Sequence, residues 1–153
     1  MGLISKPLSL CPMVDHLEIV RRGFAAFNER DWRVIRGLCH PEVEWRPPRE
    51  LPGSELYRGP EGVERSMRDM LDAFSDLRAE PHRVIDVGEG KVVALYVWRG
   101  SSASGVTVDA FEVHAGGLLE FNDGLIRRAQ FFANWETPQR MAGIAPGSYL
   151  NVH

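Results

Sequence analysis

Cysteine is scarce: Cys11 and Cys39 are the only two in 153 residues, and neither belongs to a CxxC pair. A disulfide framework and a thiolate zinc site are therefore not indicated, and Cys39, at the end of a helical pattern, reads as a small core residue. No apolar run approaches the roughly 18 residues of a membrane span. Gly2-Leu3-Ile4 ahead of Lys6-Pro7 is too short and too broken for a signal peptide, so the expectation is a cytoplasmic protein in a reducing setting, with no membrane partner. An excess of one charge is lacking as well. A net charge of -3 and a pI near 6.0 give no field to draw in a polyanion, and the arginines are scattered rather than banded. Nucleic acid is not an expected partner. The histidines His16, His40, His82, His114 and His153 show no ligand spacing, and Gly88-Glu89-Gly90 turns a hairpin instead of opening a helix. Neither a metal nor another cofactor is expected.

What is present suits one soluble globular domain, with 44% apolar residues and both signs of charge. The organising stretch runs from Ser104 to Trp135. Two long apolar-patterned segments meet there at Asn122-Asp123-Gly124, which predicts a β-hairpin whose tight turn needs glycine at positive φ. Gly116-Gly117 interrupts the first segment and predicts a bulge or sharp bend. Such a bend would let the hairpin curl around whatever packs on its inner face.

Before that stretch, residues 1–13 read as a flexible arm. Asp15-His16-Leu17-Glu18 has capping-box spacing, and Leu17, Val20, Phe24 and Phe27 then share one helical face to about Asn28. Asp31 caps a shorter helix with Trp32, Ile35 and Leu38 inward. Glu42 to Arg46 alternates as a strand, and Pro47-Pro48 after it implies a sheet edge. Gly59-Pro60-Glu61-Gly62 opens a third helix with Val63, Met67, Met70, Leu71 and Phe74 on its apolar face. Val84 to Val87 and Lys91 to Arg99 form another hairpin, and Gln139 to Ala142 suggest a last helical turn. The expected division is an arm (1–13), a single domain (14–143) and a loosely held tail (144–153). Helices followed by a run of antiparallel strands is an α+β arrangement.

Several stretches taken in order resemble the SnoaL-like branch of the NTF2-like superfamily. They are Ala25-Ala26-Phe27-Asn28-Glu29-Arg30-Asp31-Trp32, His40-Pro41-Glu42-Val43-Glu44-Trp45 and Tyr57-Arg58-Gly59-Pro60-Glu61-Gly62-Val63, followed by Asn122-Asp123-Gly124-Leu125-Ile126 and Phe131-Phe132 ahead of Met141-Ala142-Gly143. The resemblance implies a cone: a strongly curved, mostly antiparallel sheet with three N-terminal helices packed on its concave face. It also implies a pocket between sheet and helices, and a homodimer through the outer sheet face. Family members include steroid isomerases, polyketide cyclases, epoxide hydrolases and proteins without chemistry, so the fold alone does not assign an activity. The tyrosine, the base and the second acid of the steroid isomerases align near Gly23, Arg46 and Gly117, and the cyclases' His-Trp pair aligns with Ala129-Gln130. That specific chemistry is not carried over.

Two candidates for chemistry remain. Glu112 and His114 share a strand face by alternation, with Asp109 opposite; turned into a pocket they would suit proton transfer, and turned outward they need no special role. Arg46 and Glu50, at the mouth, suit a carboxylate-bearing ligand or plain solvation. Trp45, Tyr57, Trp98, Phe131 and Trp135 would form apolar pocket walls, and alternation sets Ala129, Phe131, Ala133 and Trp135 on one face. Alanines among those aromatics would leave space. The expectation is a small apolar or cyclic ligand, polyketide- or steroid-like, bound with or without isomerase- or cyclase-type acid–base chemistry; the alternative is a non-catalytic binding or dimerisation module.

Overall fold

The computed structural model describes residues 15–49, 55–103 and 108–150, with the side chains of 102–103 and 108–109 excepted. The residue 1–13 arm lies outside the described residues. Helix α1 spans His16–Glu29, capped by Asp15, whose carboxylate accepts from the amides of Leu17 and Glu18. It ends at Arg30, a non-glycine residue in the left-handed region at φ 60. That backbone is held because the Arg30 guanidinium donates to the carbonyls of Phe27 (2.9 Å) and Leu77 (2.8 Å). Asp31 caps α2 (Trp32–Gly37), and α3 (Gly59–Ala73) starts with proline in its first turn, where an amide has no partner to lose.

Six strands follow in chain order: β1 (Cys39–Arg46), β2 (Tyr57–Arg58), β3 (Arg78–Gly88), β4 (Lys91–Ala103), β5 (Val108–Asn122) and β6 (Leu125–Phe132). They form one open sheet in the order β2-β1-β6-β5-β4-β3, antiparallel except for the parallel pair β1 and β6. A short fourth helix, α4 (Glu136–Met141), and a 3₁₀ turn at Pro146–Ser148 follow the sheet. The architecture is the expected α+β one, with three helices ahead of the long strands and a fourth behind them.

Both hairpin turns use positive φ, at Glu89 and Gly90 in one and at Asp123 (55) and Gly124 (76) in the other. The proline-based expectation of an edge strand at β1 is corrected by one position. β1 lies between β6 and the two-residue β2, and a register shift between Cys39 and Glu44 accommodates Pro41. Gly116-Gly117 makes no bulge either, since pairing with both β4 and β6 runs through it without a shift. A Cβ on Gly117 would lie 2.7 Å from the Phe131 ring, and one on Gly116 2.7 Å from Cγ of Pro138. Close approach on both faces requires glycine at this pair.

Alternation divides the core in two. Val92, Ala94, Tyr96, Ala115, Leu119 and Ala129 join the buried faces of the helices, while Val93, Leu95, Val97 and Leu118 face outward and are covered by Trp135, Ala142 and Leu150. Gln139, fully buried, fastens that cover. Its amide donates to the carbonyls of Trp135 (2.9 Å) and Leu150 (3.0 Å), and its oxygen accepts from the Leu150 amide (2.8 Å). Within the stretch from 144 to 150, expected to be loosely held, Leu150 is bonded through both of its polar backbone groups to Gln139.

Candidate functional site

Two apolar hollows lie on the helix side of the sheet. The inner one, about 80 Å³, is walled by Phe24 and Phe27 of α1, Met67 of α3, and Trp45, Tyr96 and Phe131 of the strands. It exists because Gly23, Ala79 and Ala94 line it, small residues facing one another where larger ones would close the space. The second hollow, about 230 Å³, is bounded by Pro48, Met70, Phe74, Phe111, Ala115 and Ala133. Trp98 lines both.

The position of α1 against the sheet rests on Asn28. Its side chain accepts from the Ala79 amide and donates to the Ala79 carbonyl, each at 2.9 Å, which copies a strand pairing between helix and β3. On the sheet side, Trp45 meets Phe131 at 4.7 Å between ring centroids, and Tyr96 meets Trp98 edge to face at 5.3 Å. Aromatic pairs of this kind stiffen a wall beyond what area burial supplies.

Polar groups are few on these walls. The Cys39 thiol points back to the Ile35 carbonyl at 3.4 Å, and burial pushes its pKa up to about 12. Burial likewise pushes the Tyr96 hydroxyl far above the ordinary phenol value, with the Trp98 indole as a smaller opposing influence. Both groups are neutral at physiological pH. The indole nitrogen of Trp98 is buried without a hydrogen-bond partner. The indole is therefore close enough to bias the phenol, yet the two groups do not meet in hydrogen-bond geometry. An unpaired buried donor costs about 1–3 kcal/mol.

The residues singled out from the sequence are divided between the two faces. Trp45 and Phe131 line the inner hollow and Ala133 the second one. Ala129 also faces the helices, but it is 1% exposed and closely covered, so it opens no space. Tyr57 is buried apart from both hollows and its hydroxyl donates to Asp69 at 3.1 Å. Arg46 alternates with Trp45 and so falls on the outer face, beside Glu44, Glu120, Arg128 and Gln130. Trp135 departs from its expected face because β6 ends at Phe132 and the chain bends through 133–135. It packs on the outer face, its indole donating to the Tyr96 carbonyl at 3.1 Å and its ring between His82 and His114. Glu50 lies outside the described residues, as does the side chain of Asp109.

Glu112 and His114 do share a face, and it is the outer one. Pairing sets His114 opposite Val97 and Glu112 opposite Arg99, whereas Val113, between them, pairs with Trp98 and borders the second hollow. Glu112 is 44% exposed and ion-paired to Arg99, which also holds Glu80 at 2.7 Å. His114 stands 3.8 Å from Glu112 and against Trp135. The sheet separates this pair from both hollows. Trp98, one of the wall aromatics expected from the sequence, lines both hollows, whereas Tyr96, which strand parity with Trp98 sets on the same wall, is not singled out by the sequence reading.

The family model of the SnoaL-like domain matches residues 20–129. The chain belongs to the SnoaL-like family. No curated protein matches it. Among solved structures, this SnoaL-like domain is similar to an NTF2-like protein of unknown function from Burkholderia pseudomallei, at 17% identity over 86% of this chain and 97% of that one, TM-score 0.69. It is similar to IdmH, a putative polyketide cyclase from Streptomyces antibioticus, at 21% identity over 84% and 99%, TM-score 0.67. A third is TerC co-crystallized with polyporic acid, at 18% identity over 84% and 98%, TM-score 0.68. These likenesses establish the NTF2-like fold. The expected cone architecture is thus the observed one.

Proposed function

We propose that this SnoaL-like domain binds a small apolar, cyclic molecule on the helix side of its sheet, and does so without general acid–base chemistry from Glu112 and His114. One observation carries the reading: the described side chains lining the two hollows include no carboxylate, imidazole, ammonium or guanidinium. A general base must lie within hydrogen-bond reach of the proton it takes, and the neutral Cys39 thiol and Tyr96 hydroxyl are poor bases at pH 7. Apolar walls with few polar points are what a lipophilic ligand needs. That IdmH is a putative polyketide cyclase and that TerC was crystallized with polyporic acid agree with a cyclic ligand.

Indane, a bicyclic hydrocarbon, tests the reading directly. Titration followed by tryptophan fluorescence is expected to show saturable binding that Ala133→Leu weakens at least fivefold by occupying the second hollow, while Glu112→Gln and His114→Gln leave it unchanged. Binding insensitive to Ala133→Leu, or abolished by either outer-face variant, would refute the proposal. A homodimer through the outer face belongs to the same proposal. It would have to form on the charged part of that face, around Glu44, Arg128, Arg99 and Glu112, since Trp135 and Leu150 already cover its apolar part. Native mass spectrometry reads its presence.

A further inference from the structure

We propose that Trp98 is the ligand's polar anchor: the bound molecule is a neutral cyclic compound bearing a carbonyl-type oxygen, which accepts the Trp98 indole N–H, with the Tyr96 hydroxyl as second donor. The inference rests on the binding reading above and names the ligand class for that site. Its starting point is the orphaned indole nitrogen, the single buried side-chain polar atom without a partner among the described residues. Buried donors are ordinarily paired, and a donor left over in an otherwise satisfied core is open to a partner from outside. Trp98 is also the residue common to both hollows, and because its nitrogen is itself covered in both, the acceptor reaches it as a neighbouring side chain turns aside.

The Tyr96 ring, 2% exposed, meets Trp98 at 5.3 Å and brings a second O–H to the same region. Two donors side by side suit one acceptor oxygen, which has two lone pairs to offer. The oxygen must be uncharged. No cation borders the hollows among the described residues, and an ionised carboxylate taken out of water without a partner is heavily disfavoured. Size is consistent as well: the second hollow, about 230 Å³, exceeds the ~150 Å³ of an engineered apolar cavity that admits benzene. The apolar rings would rest against Phe74, Phe111 and Ala133, with the oxygen turned to Trp98.

Indane and 1-indanone, of nearly equal shape, differ by the carbonyl and separate the possibilities. Wild-type protein is expected to bind 1-indanone about tenfold more tightly than indane, since the ketone satisfies a donor that the hydrocarbon leaves orphaned. In two-dimensional ¹⁵N–¹H spectra the Trp98 indole proton should move downfield with 1-indanone and stay with indane. Trp98→Phe should erase the preference while retaining indane binding, and Tyr96→Phe should reduce it. If Trp98→Phe does not fold, the wild-type affinity ratio and the indole shift decide alone. Equal affinity for the two probes, as when a water already satisfies the indole, overturns the anchor and leaves the binding site standing. Failure of both probes to bind overturns the anchor together with the binding reading.

Discussion

Gly116 and Gly117 are neighbours on β5 that face opposite ways, and substituting each by alanine probes what lies behind the group it would strike. Neither has a positive φ, so alanine is compatible with both backbones. Relative to glycine in a strand, alanine recovers about 0.5–1 kcal/mol of chain entropy. Against this stands the collision. A Cβ at either position would meet carbon at 2.7 Å, well inside the ~3.5–4.0 Å of an unstrained carbon contact. Overpacking of this size ordinarily costs about 1–3 kcal/mol.

The two sites differ in where the struck group can go. At Gly117 the obstacle is the Phe131 ring, which borders the inner hollow and can move into it. At Gly116 the obstacles are the fully buried Pro138 ring, the Asn134 carbonyl at 3.2 Å and Leu95 at 3.2 Å, packed under α4. Gly117→Ala should therefore be nearly neutral, within about 1 kcal/mol, and Gly116→Ala should lose about 2–3 kcal/mol. At about 2–4 °C per kcal/mol for a domain of this length, Gly116→Ala melts about 5–10 °C lower and Gly117→Ala within ~3 °C of wild type. Thermal melts by circular dichroism measure both. Equal losses at the two positions would mean that Phe131 has no room to yield, and the inner hollow would not be the free space described.

Further perturbations test the cover and the buried thiol. Gln139→Ala should cost about 2–3 kcal/mol, because it leaves the Trp135 carbonyl and both polar backbone groups of Leu150 without their partner. Gln139→Met keeps the bulk and should lose nearly as much; full stability in the methionine variant would show that shape, not hydrogen bonding, holds the C-terminal stretch. Cys39 bears on alkaline stability. Its folded pKa of about 12 lies above the unfolded value of 9.0, so the unfolded chain loses its proton first. The Cys39 contribution is intact below pH 9 and declines as pH rises from 9 toward 12. Urea midpoints across that range should fall less steeply for Cys39→Ala than for wild type, and parallel slopes would refute the assignment.

Much of the architecture is legible in the residues because local chemistry and fold agree there. Asp15 and Asp31 do cap helices, Pro60 does open one, and Asn122-Asp123-Gly124 does turn a hairpin. The site is less legible for two physical reasons. Alternation along a strand tells which residues share a face and not which face meets the helices, so Glu112 and His114 were paired correctly without their side being known. Alternation also ends where the strand ends: extrapolating from Phe131 to Trp135 crosses the bend after Phe132, and the face is lost. The Gln139 fastening and the orphaned Trp98 nitrogen depend on contacts far along the chain and leave no local pattern.

Strand parity is then what decides whether this fold holds a reactive site or a greasy hollow, and β5 shows how parity is held. A slip of one residue against β4 and β6 would turn Glu112 and His114 to the helix side and Val113 to the outside. The same slip would bring Ala115 or Leu118, rather than a glycine, under Pro138 or Phe131, where not even a methyl group fits without displacement. The glycine pair thus penalises the register that would load the hollow with a carboxylate and an imidazole. In the register it favours, Phe111, Val113 and Ala115 of β5 border the second hollow, and Val113 is the one that pairs with Trp98. An acid introduced at Val113, not one already present at Glu112, is the change that would set a titratable group at the second hollow.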